Sequence, residues 1–402
     1  MKFVIDRDTL KGALDRSIKG MDMNSTLPIL SGVLITAEGQ SLVLETSNME
    51  VSIKQTVIAN VEEPGALVVP CKLLAEVVGH LPDMAISFEL AGTVLNVRCG
   101  SSSYSINTLA AQDFPQFPSY QIDSMVEVPT ASLNDMVNRV AVAASTDKSR
   151  TVLNGVLVNI TPEIVRFVTT DSVRLAVAET KITSGVEDFE VIAPAKTLRS
   201  VLSMASESRT MTIGTNQTQI VFLFGDVVYV TRRIEGSYPK YRKLIPASYV
   251  TGVKVKVNDL FEAMQRIKAM TVSNSEIRFQ IDAAESLLVI TSNLPDQGSA
   301  REEIPVEVEG ESQTIAFNSR FIYDCVQKAG DDDMMAFQME NPSKPGIFKM
   351  LGNKVDFLYL VMPVPSPHRA SSARLSSPSS SLKSSLSPRC RVNTPFSCST
   401  TS

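Results

Sequence analysis

Hydrophobic positions along this chain follow two periods, and the switching between them recurs. In DTLKGALDRSI (8–18), Leu10, Leu14 and Ile18 stand four residues apart, the spacing of one helix face. GVLITAE (32–38) and SLVLETS (41–47) then change to a two-residue period around Glu38-Gly39, which predicts a β-hairpin. VSIKQTVIAN (51–60) and GALVVP (65–70) continue the strand pattern. A second helix is predicted at CKLLAEVVGHL (71–81), with Leu73, Leu74, Val77 and Val78 on one face. Three more short strand patterns follow: AISFEL, TVLNVRC and SYSINTL.

The same order returns twice. VVPCKLLAEVV, IAPAKTLRSVL and AFNSRFIYDCV align Pro70, Pro194 and Asn318 at intervals of 124 residues. ETSNMEV, TTDSVRL and TSNLPDQ align Asn48, Asp171 and Asn293 at intervals of 123 and 122. The first helices align through Leu10, Leu133 and Leu260, at 123 and 127. Independent landmarks with one period define three repeats. The expected boundaries are 1–122, 123–250 and 251–364, with the similar segments DFPQFPSY and SYPKYRKLIP as linkers. Two helices and about eight short strands make each repeat a doubled βαβββ unit. The fold class is therefore α+β, with two helices on one face of antiparallel sheets.

Composition adds mostly exclusions. The 402 residues are 44% hydrophobic, enough for several cores, and no apolar run is long enough to span a bilayer. The start, MKFVIDRDTLKG, lacks the apolar region of a secretory signal, so a cytoplasmic protein is expected. The five cysteines form no CxxC pair, and the two histidines are His80 and His368. His80 follows an amphipathic helix and reads as a helix-end residue. Neither a Walker loop nor GxGxxG is present. No metal, cofactor or catalytic residue is expected, and the chain does not read as an enzyme.

Charge changes the picture through its placement. Residues 365–402 hold five basic and no acidic residue, so residues 1–364 carry 33 basic against 43 acidic, a net charge of −10. That total argues against nucleic acid. Yet Arg16, Arg139 and Arg266 all stand six residues past the aligned leucine of a first helix, off its apolar stripe. Lys72, Lys196 and Arg320 all stand two residues past the Pro/Pro/Asn landmark, in the first turn of a second helix. A late arginine is favoured by the helix dipole, whereas a cation in the first turn opposes it. Three repeats keeping that unfavourable charge point to an external polyanion, read through its backbone. Aromatic content of 6% without Trp suits duplex better than stacked single strands.

With the repeat in place, STLPILSGVLI (25–35), AQDFPQF, TVLNGVLV (151–158), TTDSVRLAV (169–177), SYPKYRKLIP (237–246) and LVMPV (360–364) resemble the bacterial sliding clamp, the beta subunit of DNA polymerase III. The resemblance runs in order from Met1 to Val364. It implies a head-to-tail homodimer closing a ring of six domains around duplex DNA, helices inward and sheets outward. Arg150 would join the six repeat-related cations as a DNA-facing residue. The ring would tether the DNA polymerase III catalytic subunit and be loaded by a separate ATP-dependent clamp loader, with no membrane partner. Effective concentration, not tight contact, would give processivity.

The resemblance also implies residue roles. The dimer interface would set Tyr104 and Ile106 against Thr271 and Val272. Partners with QLxLF-type motifs would dock in an apolar pocket. It would be formed by Leu153, Thr170, Arg174, Leu175, Pro239 and Leu244, with Asn318, Phe321, Met362, Pro363 and Val364. Many bacterial clamps read TDGHRLA where this chain reads TDSVRLA, so Ser172 and Val173 alter the pocket rim. Family members commonly end soon after MP with an Arg and a hydrophobic residue. Here Pro365 opens a segment with fourteen Ser and five Pro, whose composition predicts disorder. A genuine extension and a reading-frame slip both account for it. Two other readings compete with the clamp. One is a protein-only repeat scaffold; the other is a metal-dependent nuclease built on the carboxylates of GDDDMM (330–335).

Overall fold

The computed structural model describes residues 1–22, 26–182, 188–272, 275–294, 297–329, 334–352 and 355–365. The carboxylates of GDDDMM, and all of the Ser/Pro-rich segment except Pro365, lie outside the described residues. Six α-helices occur among the described residues: α1 (Arg7–Ser17), α2 (Cys71–His80), α3 (Thr130–Val140), α4 (Ala195–Met204), α5 (Val257–Lys268) and α6 (Ser319–Gln327). Each follows a strand, and three antiparallel strands come after each, so every repeat runs through βαβββ twice. Short additional strands, Asn60–Glu63 and Glu307–Gly310, raise the first and third repeats to nine strands beside eight in the second.

The repeat landmarks are local chemistry. Pro70, Pro194 and Asn318 are the N-caps of α2, α4 and α6. Proline caps suit a strand running straight into a helix, because the fixed φ sets the corner and no amide is left unpaired. Asn48 and Asp171 are turn-makers. Asn48 Oδ1 accepts the amides of Glu50 and Val51, and Asp171 Oδ1 accepts those of Val173 and Arg174. The same turn drives Met49 to φ 70° and Ser172 to φ 82°, a left-handed conformation that costs a non-glycine residue about 1 kcal/mol. His80 ends α2, its Nδ1 lying 2.7 Å from the Glu76 carbonyl.

Within a repeat the two helices and both sheets share one core. In the first, Leu10 and Leu14 of α1 meet Leu74 and Val78 of α2, Phe3 and Phe88 of one sheet, and Ile35 and Leu44 of the other. Phe3 and Phe88 stack at 4.7 Å. The third repeat centres on Phe279, Phe317, Phe337 and Phe348, mostly edge to face.

The sheets do not stop where the repeats do. Val227–Arg232 of the second repeat pairs antiparallel with Val51–Ile58 of the first, making one eight-stranded sheet. Asp356–Val361 of the third pairs in the same way with Arg174–Lys181 of the second, making a nine-stranded sheet. Each junction joins the last strand of one repeat to the fourth main strand of the repeat before it. The two strands left over by this rule are Ser102–Asn107, at the edge of a five-stranded sheet, and Gly298–Pro305, at the edge of a four-stranded sheet.

Candidate nucleic-acid interface and docking pocket

Lys72, Lys196 and Arg320 are the second residues of α2, α4 and α6, and all three are exposed. Lys72 lies 4.0 Å from Glu76 and Arg320 3.9 Å from Asp324, loose pairs that leave the charge available to an outside anion. The late arginines of the first helices diverge. Arg266 is exposed but held by Glu302 at 2.9 Å. Arg16 is half-buried, its Nε donating to Gln55 Oε1. Gln55 in turn donates to Ala13 O and Ser17 Oγ.

Arg139 corrects the expectation that the late arginines face outward. Its side chain is buried, 7% exposed, with Nε donating to Asp135 at 2.7 Å and the guanidinium over the Phe357 ring. The cause is the sheet junction: Phe357 belongs to the third repeat and arrives beneath α3 on the strand that extends the sheet. Arg150 is exposed, but it lies beside the turn at Ser172, donating to Ser172 Oγ at 3.3 Å, rather than on a helix. Further helix-borne cations went unnoticed in the sequence. Lys19 donates to Ser203 across the first two repeats, and Lys268 lies 4.0 Å above the Tyr323 ring. They do not share one position per repeat, the signal that exposed the others. In a salt titration of DNA binding, Lys196→Gln lowers the slope of log K against log salt by up to about one, and Arg139→Gln leaves it unchanged. Equal losses would place Arg139 on the DNA.

The apolar residues assigned to docking converge from five segments: the turn Thr151–Asn154, the strand Arg174–Lys181 and the turn before it, the linker, α6 and the residues after Val361. Arg174–Lys181 is apolar on both faces, unusual for an antiparallel strand with one face to water. One face feeds the helix-side core; the other carries Leu175 and Val177, which join Leu157, Val168, Leu360 and Tyr241 in a separate outer cluster. The linker covers part of that face: Tyr238 accepts the Thr170 amide at 3.1 Å, and burial pushes its hydroxyl pKa up. What remains open is rimmed by Val173, Leu244 and Met362, each two-fifths to one-half exposed. The Met362 amide donates to Val173 O and the Val364 amide to Ala316 O, which fixes the last described residues across the rim. Leu153, half-buried, sits in the turn Thr151–Asn154 next to Arg150, with Pro239 exposed on the linker. Leu175, Thr170 and Arg174 are buried, so they form the floor and frame rather than the contact surface.

Arg174 is the frame's centre. It donates to Asp171 at 2.9 Å, Asp324 at 2.7 Å and Tyr359 at 3.1 Å, and its guanidinium stacks 4.4 Å from the Phe321 ring. Burial opposes its charge, but Tyr359, Asp324 and Asp171 more than offset that and hold its pKa above the ordinary value. Asn318 caps α6, accepting the Arg320 amide, one turn from Phe321. One helix therefore carries both Phe321, which the resemblance assigns to docking, and an exposed cation.

On the free edge Ser102–Asn107, Tyr104 is 41% exposed; Val272, 61% exposed, and half-buried Thr271 lie just past α5, in a groove of about 520 Å³ between α5 and α6 that also touches Lys268 and Arg320. Ile106 is corrected: its side chain belongs to the first repeat's core, so only its backbone is available at that edge.

Comparison with known proteins agrees along the length of the repeats. Models of the N-terminal, central and C-terminal domains of the DNA polymerase III beta subunit match residues 1–118, 127–240 and 242–365. A beta sliding clamp of Synechococcus elongatus is 28% identical over 373 residues, covering 90% of this chain and 99% of that one. A beta sliding clamp homolog, GriR, from Streptomyces muensis is 31% identical over 81% of this chain and 87% of its own. The griselimycin-bound sliding clamp of Pseudomonas aeruginosa superposes with a TM-score of 0.85 at 26% identity, over 91% of this chain and all of that one. With three domain models matched in order on a thrice-repeated α+β fold, the chain belongs to the DNA polymerase III beta subunit family and is a DNA sliding clamp.

Proposed function

We propose that two of these chains associate head to tail into a ring that encircles duplex DNA. The ring tethers the DNA polymerase III catalytic subunit in the cytoplasm. It works topologically and without chemistry of its own. An ATP-dependent clamp loader opens it, and partners carrying QLxLF-type motifs dock at the pocket framed by Arg174.

The free edges carry this reading. Two junctions between repeats are continuous sheets, and the third would complete the series by pairing Ser102–Asn107 of one chain with Gly298–Pro305 of another. An unpaired edge invites such addition, and a heterologous contact repeated twice closes a two-chain ring. The exposed first-turn cations of α2, α4 and α6 supply a diffuse positive face that holds a polyanion without fixing its register.

Retention on DNA tests encirclement. Loaded onto a nicked circular plasmid, the chain co-elutes with it in gel filtration and is shed after the plasmid is cut once. Equal escape from circular and linear DNA would overturn encirclement and favour a scaffold binding proteins only.

A further inference from the structure

The apolar floor of the docking pocket continues along the sheet. Side chains alternate faces, so Leu175, Val177 and Glu179 share one side of their strand, with Leu360, Leu358 and Asp356 directly opposite. Two residues beyond the pocket, the floor is still apolar. Two residues further, it meets a charged row in which Arg166 binds Glu179 at 2.6 Å. Tyr241 and Ile245 of the linker lie over this end. Between linker and sheet is a groove of about 380 Å³, also bounded by Arg242 and Lys349. Val177, Leu358, Tyr241 and Ile245 belong to the same apolar cluster as Leu175 and Leu360, so one packed apolar layer underlies both groove and pocket.

The charge of this groove is unbalanced. Arg242 sits on an exposed linker turn that also carries Lys240 and Lys243, and it lines the groove together with Lys349 of the strand Gly346–Leu351. Among the described residues none of the four has a carboxylate within 4.0 Å, although Arg242 feels the field of Glu179 and Glu190. Among the groove's lining residues Arg166 and Glu179 cancel, which leaves Asp356 against Arg242 and Lys349, with Lys240 and Lys243 on the adjoining turn.

We propose that this groove receives an acidic segment flanking the docking motif of a partner protein, one apolar side chain seated on Val177 and Leu358 and its carboxylates against Arg242 and Lys349, with Lys240 on the adjoining turn. The proposal rests on the docking reading of the neighbouring pocket. The chain's own residues 365–402, with five basic and no acidic residue, have the wrong sign for this occupant.

Fluorescence anisotropy decides it. The full chain is titrated into a labelled QLDLF peptide, and into the same peptide extended on either side by a Leu among four Glu or among four Ser. The expected result is that one acidic extension binds about tenfold more tightly than its serine counterpart at low salt, and that the gain shrinks at about 0.5 M salt. Lys240→Ser/Arg242→Ser/Lys349→Ser abolishes the gain and leaves the unextended peptide unchanged. If the unextended peptide binds and all extensions bind alike, the groove proposal fails while the pocket stands. If no peptide binds, the pocket reading falls and takes the groove with it. If a chain ended at Val364 binds the acidic peptide more tightly and the full chain shows no gain, the groove's occupant is the chain's own terminal segment and the proposal is wrong.

Discussion

Ser103→Pro/Ser105→Pro converts the chain to a monomer that folds normally and slips off circular DNA. Thr108 N–H donates to Thr93 O, and the register continues as Ile106 opposite Leu95 and Tyr104 opposite Val97. Antiparallel pairing alternates, so the amides of 102, 104 and 106 turn inward to the neighbouring strand and those of 103, 105 and 107 point outward. The same logic from Val306 N–H to Ser286 O turns the amides of Ser299, Arg301 and Glu303 outward on the other edge. Proline at 103 and 105 therefore removes two amide donors to the second chain and no backbone donor within the first; the one intrachain bond lost is the exposed one from Ser105 Oγ to Asn96 Oδ1. Edge strands tolerate such a change. Each lost bond leaves an acceptor buried at the interface, about 1–3 kcal/mol, and a two-chain ring contains the interface twice. Sedimentation reads association, and circular dichroism checks the fold. A dimer of undiminished stability would mean that chains meet elsewhere.

The largest effect on stability comes from Arg174→Ala. The substitution leaves Asp171 and Asp324, both partly buried, without their close cation, Asp324 keeping only the loose Arg320 at 3.9 Å, and strips the stacking partner from Phe321. Breaking a buried ion pair on one side costs about 3–5 kcal/mol. Because Arg174 lies on the second repeat and Asp324 and Tyr359 on the third, the loss concentrates at that junction, and docking of a QLDLF peptide weakens with it. Arg174→Met/Asp324→Leu recovers part of the stability and not the docking, since packing replaces charge but Phe321 loses its support. Denaturant midpoints separate the cases. A cost under about 1 kcal/mol for Arg174→Ala would show that Arg174 is a surface bridge and not a frame.

The two outcomes draw on different levels of information. The repeat was legible in the sequence because its landmarks are local: a proline that caps a helix, an Asx turn that forces the next residue to positive φ, a leucine that starts a helical stripe. Lys72, Lys196 and Arg320 stood out for a related reason, a first-turn charge opposing the helix dipole three times, and the structure finds all three exposed, two of them loosely paired with a carboxylate one turn on. Arg139 was misread because its cover, Phe357, comes from a strand more than two hundred residues away. Ile106 was assigned to contact on resemblance, and its side chain packs into the first repeat's core, although Tyr104 on the same strand face is exposed.

By itself, then, the sequence determined the elements, their order and their threefold recurrence, all set by interactions within a few residues. Only the tertiary structure decided which strands pair across repeats and which edges are left over. It alone decided that Arg174 is buried between two carboxylates, and that an apolar floor runs from the pocket toward a cationic groove. These follow from sheets that join distant segments. A strand's own residues specify that it will pair, while the partner that fills its edge is chosen by the fold as a whole.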